Sequence, residues 1–305
     1  MTAPSEIAEV SVVMPSFRSE KTIARAIASV VEQTVKPREI IIVDDGSDDG
    51  SFEIASSFKN QMKGIDLKIF QQENKGAGAA RNVALNEAQC DLVAFLDADD
   101  EWLPQKIELS IEQIRKNKLD LISHNVWIVN GRNESFLDIA SRFHAASKHL
   151  FHGLFRRGFI STSTVVARRD LILSVDGFDE KLRSGQDFDL WLKLLNCPGV
   201  RFGVFDQALT RYHVEPNSIS SQTNQRLKNA LEIACRHAPM LRLHPGSAFK
   251  SIWFRIIAIH IEAAIANFNK KRIFSGLQAV IIIPYRIMTV TCTYILDTQF
   301  RVSPK

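Results

Sequence analysis

Along the first third of the chain, short apolar runs alternate with longer amphipathic stretches. Val10-Ser11-Val12-Val13-Met14 reads as a buried strand stopped by Pro15. Ile23, Ala26, Ile27, Val30 and Val31 share one stripe and predict a helix over Lys21 to Gln33. Ile40 to Val43 is the next strand, and Asp44-Asp45-Gly46-Ser47 turns it into a second helix. Leu67 to Phe70 predicts a third strand, Gly76 to Ala88 a helix, and Leu92 to Leu96 a fourth strand ending at Asp97. A helix from about Pro104 to Asn117 and a strand around Leu121 complete this half.

Such alternation implies βαβ units, and so an α/β fold with a mostly parallel sheet flanked by helices. Ligands of such sheets bind beyond the carboxyl ends of the strands. Three polar clusters fall at those ends: Pro15 to Glu20, Asp44-Asp45, and Asp97 to Asp100. The pattern therefore predicts that chain-distant residues meet at one rim.

Asn130 to Phe159 is less regular and rich in Phe, His, Ser and Arg, as expected of loops and short helices beside a site. Ser161 to Arg168 predicts a strand, Gly177-Phe178-Asp179 a turn, and Phe188 to Leu195 a helix. After about Ser221 the pattern is helical, with Trp253, Ile256, Ile257, Ile261, Ala264, Ile265 and Phe268 at helical spacing. Lys270-Lys271-Arg272 then precedes an apolar stretch from Leu277 to Leu296, about as long as a membrane span requires. Pro284, several threonines and Arg286 count against a span, because a central Arg is costly in hydrocarbon. Two readings stay open: helices lying on a membrane surface with the basic run at lipid headgroups, or a helical cap packed on the soluble core.

The 305 residues are 45% hydrophobic and 24% charged, which excludes a disordered or collagen-like chain. A net charge of +4 suits an anionic surface or substrate. No dense basic stripe with interleaved aromatics is present, so no nucleic-acid partner is expected. Cys90, Cys197, Cys235 and Cys292 show no C-x-x-C spacing, and their sparseness fits a reducing compartment. Met1 to Val10 carries Glu6 and Glu9 and has no basic segment before a long apolar one. The expected location is therefore the cytoplasm, including its periphery at the inner face of the plasma membrane.

Asp97-Ala98-Asp99-Asp100 follows the buried run Leu92 to Leu96. Carboxylates at a strand end can share Mg²⁺ or Mn²⁺ with phosphate oxygens; the plainer reading is an acidic turn with Asp100 capping the next helix. For Asp44-Asp45-Gly46-Ser47 the plain reading is an Asx-type turn, and the functional one is a carboxylate accepting from a ribose or base. Both can hold, one for each aspartate. Gly76-Ala77-Gly78-Ala79-Ala80-Arg81 lacks the third glycine of a dinucleotide fingerprint and does not follow the first strand. A helix N-terminus of small residues carrying Arg81 suits a diphosphate instead. Trp102, Trp191 and Phe178 sit near these motifs; core packing is expected for Trp191, while Trp102 is open between the core and a sugar ring.

The ordered set resembles the family 2 glycosyltransferases of the GT-A fold. The matching pieces begin with Val12-Val13-Met14-Pro15-Ser16-Phe17 and Glu20, Ile42-Val43-Asp44-Asp45-Gly46-Ser47, and Asn74-Lys75-Gly76 through Ala80-Arg81-Asn82. They continue with Phe95-Leu96-Asp97-Ala98-Asp99-Asp100, Gly177-Phe178-Asp179-Glu180, Gln186-Asp187-Phe188-Asp189-Leu190-Trp191, and Arg211-Tyr212-His213 with Ser218 and Ser220. The resemblance implies a GT-A domain over residues 1–221, followed by a helical extension over 222–305 that it does not cover. It implies that Pro15, Phe17 and Glu20 line a nucleotide pocket, that Asp45 reaches the base, and that Arg81 touches the base or diphosphate. Asp97 would approach the ribose, Asp99 would bind a Mn²⁺ or Mg²⁺ ion, and His213 would stand near that ion and the diphosphate. Asp187 matches the family's catalytic aspartate. The residue before it is often Glu in the family and is Gln186 here, which removes a charge beside the base.

The implied activity is an inverting glycosyl transfer from a nucleoside-diphosphate sugar, UDP-sugar by family frequency, with a hexose or N-acetylhexosamine moved. The acceptor would be a hydroxyl of a glycan or lipid-linked precursor in cell-surface polysaccharide synthesis. A nucleotidyltransferase could use a similar sheet and carboxylate-bound metal, but the Asp187 and His213 motifs argue for sugar transfer. A noncatalytic sugar-nucleotide-binding scaffold would be expected to lose its carboxylates, and all are present.

Overall fold

The computed structural model describes residues 7–214 and 223–296; Ser218, Ser220 and the expected boundary at Ser221 lie outside them. The strands are β1 (Ile7–Ser16), β2 (Lys36–Asp44), β3 (Asp66–Gln71), β4 (Leu92–Phe95), β5 (Glu101–Trp102), β6 (Leu121–Asn130), β7 (Asn133–Leu137), β8 (Val166–Arg168) and β9 (Phe202–His213). The helices are α1 (Ile23–Val31), α2 (Ser51–Ser57), α3 (Ala77–Glu87), α4 (Lys106–Asn117), α5 (Ile139–Ala146), α6 (Leu150–Arg156), α7 (Arg169–Leu173), α8 (Gln186–Asn196), α9 (Thr223–His237), α10 (Ala248–Asn269), α11 (Ile273–Ile281) and α12 (Ile283–Leu296).

Two compact units are formed. Among the described residues the first comprises 7–141, 160–181 and 197–214, and the second 142–159, 182–196 and 223–296. The first unit holds the whole sheet, in the order β3-β2-β1-β4-β8-β6-β9-β5, with β7 paired to β6. β3, β2, β1 and β4 pair in parallel throughout, as the βαβ pattern requires. The register sets Ser16 beside Asp44 and Val13 beside Phe95, so the strand-end clusters share one rim. Main-chain bonds past the strands continue it: Asp45 N–H donates to Ser16 O at 2.8 Å, and Leu96 N–H to Val13 O at 3.1 Å.

Val10, Val12 and Met14 of β1, Ile40 and Ile42 of β2, and Ile23, Ile27 and Val30 of α1 pack into one core with Ile107 and Ile111 of α4. Side chains alternate across a strand, and the intervening Val13, Ile41, Val43, Val93 and Phe95 are equally buried. That two-sided burial is why these strands read as near-continuous apolar runs.

The later strands depart from simple alternation. β8 is antiparallel to β4 and to β6, and β5 is antiparallel to β9. Where one strand is expected over Ser161 to Arg168, a 3₁₀ turn (Thr162–Thr164) precedes the short β8. No strand is expected over Phe202 to His213, yet β9 there runs 12 residues parallel to β6. His124 pairs with Phe205 and Asn125 with Ala208, so Asp206 and Gln207 bulge outward, both exposed, and interrupt the period of two.

The second unit is helical among its described residues. α10 packs against α6, α9, α11 and α12, and α8 against α6.

Candidate active site

At the end of β1, Pro15 and Ser16 are buried while Phe17 is 45% exposed at the rim. The Arg18 guanidinium makes two bonds to Asp48, at 2.7 and 2.9 Å, and lies 5.2 Å from the Phe17 ring centre. Glu20 faces the same turn, its carboxylate accepting from Gly50 N–H at 3.4 Å. The first cluster is thereby tied to the loop after β2.

The two aspartates that end β2 divide their work. Asp44 accepts from Ser47 N–H at 3.0 Å and from the Ser47 hydroxyl at 2.5 Å, the Asx-type turn. Asp45 is 2% exposed. Its Oδ1 accepts from Lys75 N–H at 2.8 Å and the Gln72 amide at 2.7 Å, and its Oδ2 from Gly76 N–H at 2.8 Å. Asp45 therefore holds the loop that opens α3, with both oxygens engaged by the protein. Gly46 has φ +74, and a Cβ there would lie 3.0 Å from Asn74 N, so glycine is required for the loops to meet.

α3 carries Arg81 to the rim, 5% exposed, where its Nη2 lies 2.5 Å from Asp97 Oδ1. The guanidinium sits 5.3 Å from the Phe178 ring centre, and that ring packs edge-on against Phe95. Arg81 Nε is buried and has no hydrogen-bond partner among the described groups. Asn82 clips the Gly177-Phe178 turn in place: Phe178 N–H donates to Asn82 Oδ1 and Asn82 Nδ2 donates to Phe178 O, both at 2.9 Å.

The acidic loop is held from beneath by Ser163, a residue sequence reasoning missed. Its hydroxyl donates to Asp100 Oδ2 at 2.5 Å and accepts from Asp97 N–H at 3.1 Å. Its carbonyl accepts from Trp102 Nε1–H at 2.7 Å. The only signal was a run of small hydroxyl residues, Ser161 to Thr164. Trp102 is 2% exposed and belongs to the core. Arg25 on α1 holds the loop from another side, donating to Asp99 O at 2.7 Å.

Pairing of β5 with β9 brings His213 to this loop: His213 N–H donates to Asp100 Oδ1 at 3.1 Å, and His213 Nε2 is 3.6 Å from Glu101 Oε2. Asp97, Asp99, Asp100, Arg81 and His213 are thus gathered within the first unit. Asp100 is 1% exposed; burial and the nearby Asp99 and Asp97 carboxylates push its carboxyl well above the usual range. Such crowding of oxygen donors suits a hard divalent cation. Among the described residues no three His, Cys, Asp or Glu groups close on one point.

In the second unit, Asp187 lies in the first turn of α8, after Gly185 at φ +74. Gln186 is 5% exposed and Trp191 fully buried. Two residues on, Asp189 is fully buried and meets Lys193 at 3.0 Å, Arg236 at 3.0 Å and His237 at 2.8 Å. Burial alone would raise its carboxyl, but the His237 bond and the His237 and Lys193 charges outweigh that and hold it at about 2. The Asn229 amide donates to Ser184 O at 3.2 Å and to its hydroxyl at 3.0 Å, so α9 braces both the start and the first turn of α8.

Comparison with known proteins identifies the family and the fold. Residues 11–169 match the family model "Glycosyl transferase family 2" and residues 92–296 match "Glycosyl transferase family group 2". The chain is 31% identical to the Escherichia coli UDP-Glc:alpha-D-GlcNAc-diphosphoundecaprenol beta-1,3-glucosyltransferase WfgD, over 73% of this chain and 84% of that protein. It is also 31% identical to the putative teichuronic acid biosynthesis glycosyltransferase TuaG of Bacillus subtilis, over 70% of this chain and 81% of that protein. Among solved structures, S. aureus TarS 1–349 in complex with UDP-GlcNAc superposes with a TM-score of 0.66 at 20% identity, covering 93% of this chain and 84% of that one. The mannosyltransferase PcManGT from Pyrobaculum calidifontis, in complex with GDP-Man and Mn²⁺, gives 0.63 at 16% identity, covering 98% and 83%. The fold is GT-A, and the chain belongs to glycosyl transferase family 2 and is a glycosyltransferase.

Proposed function

We propose that this enzyme transfers a hexose or N-acetylhexosamine, with inversion, from a UDP-sugar to a hydroxyl of a lipid-linked glycan precursor in cell-surface polysaccharide synthesis. The observation that carries this reading is the gathering of Arg81, Asp97, Asp99, Asp100 and His213 around one strand-end rim. Support for the donor and acceptor classes comes from the names of the relatives, one of which acts on a diphosphoundecaprenol-linked sugar. The corresponding location is the cytoplasmic face of the membrane.

In this reading Pro15, Phe17 and Glu20 line the nucleotide end of the donor pocket, and Asp97 faces the ribose. Asp45 shapes that pocket by holding the Lys75–Gly76 loop. Arg81 places positive charge against the diphosphate, where negative charge grows as the bond from the anomeric carbon to phosphate oxygen breaks. Asp99 and His213 would hold Mn²⁺ or Mg²⁺, which supplies Lewis-acid neutralisation of the diphosphate. Asp187 takes the proton of the acceptor hydroxyl as that oxygen bonds to the anomeric carbon. A single displacement of this kind inverts the carbon.

A thermal-shift panel of UDP-, GDP- and dTDP-sugars, each with and without Mn²⁺, tests the donor site. Metal-dependent stabilisation by UDP-sugars alone is expected, and stabilisation by none of them would overturn the reading. Asp187→Asn is expected to keep the UDP-sugar shift and lose most transfer to an undecaprenol-diphosphate-linked acceptor. Equal transfer by variant and wild type would remove Asp187 from the role.

A further inference from the structure

α10 is apolar on two sides. Ile252, Ile256 and Ile259 face the interior of the second unit, while Trp253, Ile261 and Ile265 are 51%, 44% and 53% exposed. α11 and α12 continue the exposed apolar surface, with Phe274 91% and Ile281 76% exposed. Sixteen of the twenty-two large apolar side chains exposed among the described residues lie on these three helices. Patches of this kind mark an interaction surface.

The charge on the surface identifies its occupant. From Ala248 to Leu296 Glu262 is the single acidic residue, against Lys250, Arg255, Lys270, Lys271, Arg272 and Arg286. Lys270, Lys271 and Arg272 form the exposed turn between α10 and α11, directly before Ile273 and Phe274. A second copy of the chain packed face to face would add like charge to like charge. An anionic lipid surface offers hydrocarbon for the aromatic and aliphatic side chains and phosphates for the basic turn.

The helix geometry fits a seat on the bilayer better than a crossing, since α11 and α12 reach across only as one bent pair. α11 has 9 residues and α12 has 14, so they reach about 14 and about 21 Å, against about 30 Å of hydrocarbon. A 44° bend separates them. α10 is long enough, but one of its faces is packed within the unit.

We propose that α10, α11 and α12 form a monotopic seat on an anionic bilayer, with Phe274 and Ile281 entering the acyl boundary and Lys270, Lys271 and Arg272 at the headgroup phosphates. This deepens, and rests on, the reading of a lipid-linked acceptor; its test reads binding without transfer, so either can fail alone.

The test is flotation of the full chain with vesicles of phosphatidylcholine, alone or mixed with phosphatidylglycerol. Flotation is expected with the mixed vesicles only, and is expected to weaken as salt rises. Phe274→Glu with Ile281→Glu, and separately Lys270→Glu with Lys271→Glu and Arg272→Glu, should each cut the bound fraction about tenfold or more. Both variants should keep the wild-type melting temperature, which shows that they fold. Three results would overturn the proposal: no flotation of the wild type, equal flotation on both vesicle types, or light scattering showing a dimer that the Phe274 and Ile281 substitutions dissolve. The last would assign the surface to a second copy.

Discussion

Arg81 on α3 and Asp97 after β4 form an ion pair at 2.5 Å, sixteen residues apart in the chain, with the guanidinium 6% and the carboxylate 28% exposed. The pair joins the helix expected to meet the diphosphate to the loop expected to meet the ribose and metal. Asp97→Ala should leave a buried guanidinium without its counter-charge and destabilise the fold by about 1–3 kcal/mol, measured by urea unfolding. Arg81→Ala should weaken UDP binding about tenfold in calorimetry, because a charge-assisted donor is lost.

The turn that carries Phe178 under Arg81 depends on a glycine. Gly177 has φ +63, and a Cβ there would stand 2.6 Å from Asn82 Oδ1. Gly177→Ala should therefore break the reciprocal Asn82–Phe178 bonds and lower stability by about 1–3 kcal/mol. A melting temperature equal to the wild type's would show that the turn tolerates the change.

Asp189 shares α8 with Asp187, and three basic side chains close on it. Its folded-state value of about 2 lies below the ordinary 3.8, so the native state binds fewer protons than the unfolded chain at acid pH. Its stabilisation is complete above the ordinary value and is lost as pH falls through about 2. Asp189→Asn should cost about 1–3 kcal/mol at neutral pH, because the buried carboxylate that holds His237 and the half-buried Lys193 and Arg236 loses its charge, and should flatten the acid limb of a stability–pH curve.

His124 on β6 is fully buried, and its Nδ1–H donates to Asn125 O at 2.8 Å. Burial, with Lys106 nearby, lowers its value from 6.5 to about 3. The unfolded chain takes up this proton first, so stability is full above 6.5 and declines as pH falls toward about 3. His124→Leu should remove that part of the decline, as urea midpoints compared at neutral and mildly acidic pH would show. Lys106 is buried with its Nζ 3.8 Å from the Trp102 ring centre and no hydrogen-bond partner among the described residues. Lys106→Met should accordingly raise stability by about 1–4 kcal/mol.

Much of the first unit was legible in the chain because its central strands are buried on both faces and α1 and α4 on one. Continuous apolar runs and single stripes are the direct trace of that burial, and Val10 to Met14, Ile40 to Val43 and Leu92 to Leu96 carry it plainly. β9 was not legible, because the bulge at Asp206 and Gln207 breaks its period. The set of Trp253, Ile256, Ile257, Ile261, Ala264, Ile265 and Phe268 was legible as helical, but Ile256 and Ala264 are buried while the other five are exposed. A helix apolar on two sides does not declare which side the protein uses.

By itself, the sequence determined the parallel half of the sheet and the strand-end placement of Asp44, Asp45 and Asp97 to Asp100, since periodicity and turn residues are local properties. Only the tertiary structure decided which groups of the protein those carboxylates engage. Asp45 spends both oxygens on the loop before α3, Ser163 supports the acidic loop from sixty-three residues away, and β5–β9 pairing delivers His213 to Asp100. Hydrogen bonds and ion pairs of this kind depend on distances of about 3 Å between groups far apart in the chain, and no local pattern encodes them.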